Sequence, residues 1–113
     1  MPDLRKGDVV VTMFPFADGT MAKIRPAMVC ARPHVVGGFA VCWVLMITSA
    51  SRRQWPGDIE ISDLAAAGLP GASLIRTLKI ACIDTRAIAQ KLGVLDAKTR
   101  RAAEKNLRTH LSA

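Results

Sequence analysis

Five short runs rich in β-branched and other apolar residues, each closed by a turn signal, constrain this chain more than any other feature. "DVVVTMF" (8–14) follows Gly7 and stops at Pro15. "PAMVCAR" (26–32) follows a loop holding Asp18-Gly19, and "HVVGG" turns the chain back after it. "FAVCWVLMITS" (39–49) is the most hydrophobic run, and "DIEIS" (58–62) alternates polar with apolar. "SLIRTLKIACID" (73–84) reads as one long bent strand or two short ones. Runs of this kind favour strands. Short strands with turns at such close intervals build a small barrel or a strongly bent sheet.

The continuous apolar character of 39–49 implies that both its faces are covered, with Trp43 packed in the core. "DLAAAGLPG" (63–71) predicts a single helical turn stopped by Gly68 and Pro70. The tail reads as helical. Asp84 or Thr85 caps a short helix over "RAIAQKL" (86–92), closed by Gly93, and Asp96 caps a second over 97–111. In that second helix Ala103, Leu107 and Leu111 form an apolar stripe. Lys98, Arg101, Lys105 and Arg108 form a basic stripe on another face, read either as a solvated face or as a binding one. Glu104 is spaced to pair with Arg100 and Arg108. The length fits one domain over residues 1–113.

Charge narrows the partner. Sixteen Lys and Arg against nine Asp and Glu give +7, which favours an anionic partner. The charge is segregated: residues 1–57 carry net +4, residues 58–84 net −2 and residues 85–113 net +5. Cys30, Cys42 and Cys82 lie in apolar runs with no CxxC spacing, so they read as three buried thiols in a reducing compartment. With His34 and His110 far apart, no metal site or other cofactor is expected. "MPDLRKGD" lacks the hydrophobic core of a signal peptide, and no apolar run reaches ~18 residues. The expected location is the cytoplasm, with no membrane partner.

"KGDVVVTMFPF", "KIRPAMV", "VLMITS" and "AGLPGASLIRTLKIACID" together, in this order, resemble the MazF/PemK family of toxins from type II toxin–antitoxin pairs. "WPGDIEISDLAAAGLP" resembles the PemK-like branch. The resemblance implies a mainly β fold, a small SH3-like barrel with a C-terminal helix, and a homodimer. It implies a metal-independent endoribonuclease cutting single-stranded RNA at short sequences, neutralised by an acidic antitoxin whose disordered tail occupies the RNA groove. The family's catalytic arginine maps onto Arg25 and its catalytic threonine or serine onto Thr48. The sequence departs from the family in "FADGTMAKIR" before the arginine and in Ala81-Cys82, where many relatives carry a basic residue.

These residue types suit the chemistry. Attack by a ribose 2′-OH passes through a dianionic five-coordinate phosphorus, which demands preorganised positive donors. Arg25 supplies a fork of donors that stays charged, and Pro26 restricts its backbone. Thr48 is placed to bond the phosphate or orient the 2′-OH. Arginine is a poor general base. His34 is a candidate base by chemistry, or an ordinary turn residue. The competing reading of Arg25 is a surface ion pair with Asp18 or Glu60, and of Thr48 an edge-strand hydroxyl. Lys23, Ser49, Arg52, Arg53 and Trp55 are candidate RNA contacts, since arginines beside an aromatic grip phosphates and stack a base. The Trp-Pro-Gly corner reads equally as a packed turn. The alternatives to RNA cleavage are a CcdB-like toxin that binds DNA gyrase and a basic nucleic-acid-binding barrel without activity.

Overall fold

The strand-forming runs pair into one antiparallel sheet in the computed structural model, which describes residues 3–14 and 23–112, the side chains of Phe14 and Lys23 excepted. The strand end at Pro15 and the Asp18-Gly19 turn lie outside the described residues. The strands are β1 (Asp8–Phe14), β2 (Lys23–Val29), β3 (His34–Val36), β4 (Phe39–Ser49), β5 (Ile59–Glu60), β6 (Ser73–Asp84) and β7 (Ile88–Val94). Helix α1 (Leu64–Ala67) is one turn between β5 and β6, and α2 (Ala97–Leu111) follows β7. The sheet order is β5-β6-β4-β2-β1-β7, with β3 paired to β4. The path is barrel-like but does not close.

Consecutive residues of β1 serve two core clusters. Val9 packs with Met28, Leu45, Ile47 and Ile75, and with Ala67 and Ala103 of the two helices. Val10 packs with Leu4, Ala27, Val29, Cys42 and Val44. Burial on both sides of the sheet explains why the inner runs are continuously apolar instead of alternating.

The second strand begins earlier than Pro26. Lys23, Ile24 and Arg25 pair with Phe14, Met13 and Thr12 of β1, whereas the ladder to β4 starts only at Ala27. Pro26 therefore stands where β4 asks for no amide, the setting in which a strand tolerates proline. The fifth run contracts to Ile59–Glu60.

Residues 86–92 are not a helix. Asp84 does cap, accepting from Arg86 N at 2.9 Å, but only a 3₁₀ turn over Thr85–Ala87 follows. The chain then becomes β7, because β1 offers a free edge from Asp8 to Thr12. Gly93 has a packing role in place of a helix cap: a Cβ there would lie 2.2 Å from the carbonyl oxygen of Ala66. Gly68 does cap α1 at φ +73, with its α-carbon pressed against β7.

Two further expectations are corrected by the outer face of the sheet. From Phe39 to Trp43 strand β4 alternates, and Trp43 is 48% exposed. Cys82, its partner across β6, is exposed too, so only Cys42 is fully buried and Cys30 half-buried. Val35, Val36, Phe39, Leu78 and Ile80 are also exposed large hydrophobics. The runs are apolar for a face that the single chain leaves uncovered.

Helix α2 keeps its predicted cap, with Thr99 donating from its N–H to Asp96 Oδ2 at 3.0 Å and from its hydroxyl to Oδ1 at 2.7 Å. Ala103 is buried and Leu107 half-buried, but Leu111 is 68% exposed at the helix end. Arg100 pairs with Glu104 at 2.6 Å. Among the described residues the second partner of Glu104 is Lys6, at 3.9 Å, and not Arg108.

Candidate active site

Carrying the β2–β4 register two residues past its last pair, Ala27 with Met46, sets Arg25 against Thr48. The ladder stops short of them, and a groove of about 280 Å³ lies there. Arg25 and Pro26 line it from β2, and Ile47, Thr48 and Ser49 from the end of β4. Leu69 to Ser73, the segment between α1 and β6, lines it as well. Arg52 joins it because the chain turns sharply after β4: Arg52 N donates to Ser49 O at 3.1 Å, and the Ser49 and Ser51 hydroxyls lie 2.8 Å apart. Ser73 donates to Gly71 O at 2.8 Å, and this fixes the Pro70-Gly71 corner.

Arg25 and Thr48 are both half-exposed and Arg52 is exposed. Among the described residues Arg25 forms no ion pair, with Glu60 or any other, and Thr48 Oγ1 makes no hydrogen bond; Asp18 lies outside the described residues. No described carboxylate or histidine lines the groove. What it presents is two guanidinium groups and serine and threonine hydroxyls. That set stabilises negative charge on phosphate oxygens.

The other sequence candidates part from this set. The Lys23 side chain lies outside the described residues. His34 lines a different cavity, beyond the far end of β2, and so is not beside Arg25. Arg53 and Trp55 do not line the groove. Trp55-Pro56-Gly57-Asp58 is a tight turn, with Asp58 N donating to Trp55 O at 3.2 Å and Gly57 at φ +83, as a type II turn requires. Trp55 N in return donates to Asp58 Oδ2 at 2.8 Å.

This turn is held by a residue that was not singled out in the sequence. Arg76 is 8% exposed, and its guanidinium sits 4.3 Å from the centroid of the Trp55 ring. It donates to the carbonyl oxygen of Arg53 and pairs with Asp58 at 3.5 Å. The β4–β6 register shifts between Leu45 and Ile47, opposite this arginine. Beside it, Thr77 donates to Gly57 O at 2.7 Å; with its proton so used, it accepts from His110 Nε2 at 2.9 Å. Asn106 Nδ2 also donates to Gly57 O, at 3.0 Å. Strand β6 and helix α2 together anchor the loop that carries Arg52. The sequence signal for this clamp was an arginine flanked by Ile75 and Thr77 inside a strand-forming run.

The cysteines are chemically quiet where they are buried. Desolvation, then the neighbouring Cys42, pushes the Cys30 thiol up to about 12. Desolvation pushes Cys42 up to about 11. Among the described residues, no group of three or more His, Cys, Asp or Glu is placed to hold a metal ion, and no helix is long and apolar enough to cross a membrane.

A barrel-like antiparallel sheet with a C-terminal helix and a cationic, hydroxyl-lined groove defines the class to which the comparisons point. Residues 5–111 match the family of PemK-like, MazF-like toxins of type II toxin-antitoxin systems, and the chain belongs to that family. No curated protein matches it. The fold is similar to that of MazF from Deinococcus radiodurans, at 18% identity and a TM-score of 0.77 over all of both chains. It is similar to an endoribonuclease solved in complex with its cognate antitoxin from a mycobacterial species, at 15% and 0.70, over 96% of this chain and 95% of that one. The Mycobacterium tuberculosis toxin MazF-mt6 is a third, at 17% and 0.66, over 91% and 96%.

Proposed function

We propose that this toxin is an endoribonuclease that cuts single-stranded RNA by 2′-OH attack, with Arg25 and Thr48 at the reacting phosphate. The observation that carries the reading is the meeting of Arg25, Thr48, Ser49 and Arg52 in one groove. Arg25 neutralises the charge that builds on the phosphoryl oxygens, and its half-burial strengthens that interaction relative to open water. Thr48 donates to the phosphate or orients the 2′-OH. Arg52 holds a neighbouring phosphate. The chemistry requires no metal ion.

The exposed apolar face of β3, β4 and β6 supports a homodimer, since a patch of this kind on a small chain marks an interaction surface. An acidic antitoxin is the partner that the net charge and the family favour.

Incubating the protein with a long single-stranded RNA in EDTA tests the function. Discrete fragments with 2′,3′-cyclic phosphate ends are expected. Intact RNA from a protein that still arrests growth, with gyrase-linked DNA breaks, would replace this reading by the CcdB-like one. RNA bound but never cut would leave a nucleic-acid-binding barrel.

A further inference from the structure

An exposed indole is held rigidly beside the groove, and the cleavage chemistry gives it no task. Trp55 is 37% exposed. Its backbone is locked on both sides: its N–H donates to Asp58 Oδ2 at 2.8 Å, and its carbonyl accepts from Asp58 N at 3.2 Å. Two residues on, the Gly57 carbonyl takes Thr77 Oγ1 at 2.7 Å and Asn106 Nδ2 at 3.0 Å. A Cβ on Gly57 would lie 2.8 Å from Thr77 Oγ1, so the turn sits directly on β6.

The ring is held by a cation. The Arg76 guanidinium is 4.3 Å from its centroid, while the Lys79 ammonium stands further off, at 5.9 Å. Arg76 is only 8% exposed and therefore lies beneath the indole, so the ring's exposure belongs to its outer side. A buried ion pair is a weak source of stability. What Arg76 and Asp58 supply here is position. An aromatic ring already fixed in place loses little freedom when a ligand covers it.

The turn shows no negative charge to such a ligand. Residues 50–57 contain two arginines and no acid, and the Asp58 side chain is fully buried against Arg76. A flat aromatic surface with cations beside it matches a nucleobase and its phosphates, because every base has a π-face and stacking is tolerant of sequence. The groove is close. Arg52 lines it and precedes Trp55 by three residues, at most about 11 Å of chain. RNA that leaves a phosphate on Arg52 passes the indole with a neighbouring base.

We propose that Trp55 is a stacking platform for one base of single-stranded RNA, next to the nucleotide whose phosphate Arg52 holds. The platform rests on the reading that RNA occupies the Arg25 groove. It adds a contact outside that groove which fixes the path of the strand and contributes affinity without selecting a base.

The probe is a 2′-O-methyl oligoadenylate, which 2′-OH attack cannot cut, and its control is an abasic chain of the same length. Trp43→Phe leaves Trp55 as the only tryptophan of the full chain. Its emission should be quenched as the oligoadenylate saturates, and much less by the abasic chain. By anisotropy, Trp55→Ala should weaken oligoadenylate binding at least about fivefold, the lower end for loss of one base–aromatic stack. Trp55→Phe should keep part of the affinity, and Trp55→Leu, apolar but not flat, should lose as much as Trp55→Ala. The salt slope should stay at the parent value in Trp55→Ala, because stacking releases no counterion, and fall by about one in Arg52→Ala.

Unquenched emission at saturation, or no binding of the oligoadenylate, would overturn the platform without use of any Trp55 variant. Trp55→Leu binding as well as Trp55→Phe would reduce the ring to an apolar cover. A salt slope lowered in Trp55→Ala as in Arg52→Ala would mean that the loop had moved, and a shift of Trp55→Ala to single chains in light scattering would make Trp55 an interface residue; either would end the proposal. Cleavage of RNA in EDTA is scored separately. A parent that cuts RNA while Trp55 stays unquenched loses the platform and keeps the ribonuclease reading, and one that is quenched but never cuts keeps the platform and loses that reading.

Discussion

The guanidinium of Arg76 lies 4.3 Å over the ring of Trp55, and the same arginine pairs with Asp58, three residues further along. One buried cation therefore holds both ends of a tight turn. The Asp58 side chain is itself fully buried, and among the described residues its Oδ1 has no hydrogen-bond partner. Removing the arginine alone takes from that buried carboxylate its ion-pair partner. Arg76→Met should destabilise the fold by about 3–5 kcal/mol, the scale for breaking a buried pair from one side. Asp58→Asn in the Arg76→Met background should recover part of that loss, because the stranded charge is gone. Urea unfolding of the single and double variants measures it. Equal stability of Arg76→Met and the parent would show that the pair bears no part of the fold.

Where periodicity and turn chemistry acted locally, the fold was legible. Strands 8–14, 39–49 and 73–84 and the α2 cap at Asp96 follow from residue type alone. Residues 86–92 were not legible, because their strand state is imposed by the free edge of β1, some 80 residues away in sequence. Trp43 and Cys82 misled for a different reason: an apolar run reads as buried whether its cover is the same chain or another. In the candidate site, Arg25 and Thr48 came from family resemblance, and the β2–β4 register then brought them opposite each other. The Leu69–Ser73 side of the groove left no local signal, since a Pro-Gly corner does not announce what it faces. Arg53 and Arg52 are adjacent and alike in the sequence. Only the turn after Ser49 separates the one that lines the groove from the one that does not.

The α2 cap makes acid stability testable. The Thr99 hydroxyl and then its N–H bond the ionised Asp96, which holds that carboxyl below its ordinary range. Arg86 does the same for Asp84, by its side chain and then its N–H, and lowers it to about 2. A carboxyl depressed in the folded state stabilises fully above its unfolded pKa, roughly 4, and loses this as pH falls through the folded value. Stability should therefore decline between about pH 4 and about pH 2. Asp96→Ala should cost about 1 kcal/mol at neutral pH, as for other lost N-caps. Asp96→Asn keeps an acceptor oxygen and should cost less at neutral pH, while flattening the acid limb. Thermal melts from pH 7 to pH 2 decide it. An acid limb unchanged in Asp96→Asn would exclude this carboxyl as its source.

The uncovered face of β3, β4 and β6 carries a prediction about assembly. If two copies bury it, the parent should elute and scatter light as twice the 12.2 kDa chain at micromolar concentration. Trp43→Glu puts a charge at the centre of the face, and it should shift the population to single chains without loss of secondary structure. Cys82, opposite Trp43 in the register, should then react with a maleimide faster in Trp43→Glu than in the parent. A parent that is a single chain under these conditions would count against the dimer.

Arg25 and Thr48 carry the sharpest test, with Arg52 and Arg53 as its internal control. Arg25→Ala should lower the rate of RNA cleavage by about 10²–10³-fold, the scale for removing one donor to a developing oxyanion. Arg25→Lys should recover only part, because an ammonium is a point charge and cannot make the two-pronged contact. Thr48→Ala should fall less, since a water can stand in for one hydroxyl. Arg52→Ala should act mainly on binding, raising KM and reducing the salt slope by about one phosphate contact. Arg53→Ala should do neither, because its carbonyl, not its side chain, is what Arg76 holds. Cleavage of a long single-stranded RNA in EDTA, with circular dichroism as the folding control, measures all five variants. A folded Arg25→Ala protein that cut RNA within a few-fold of the parent would remove this groove as the reacting site, and equal effects of Arg52→Ala and Arg53→Ala would remove its proposed edge.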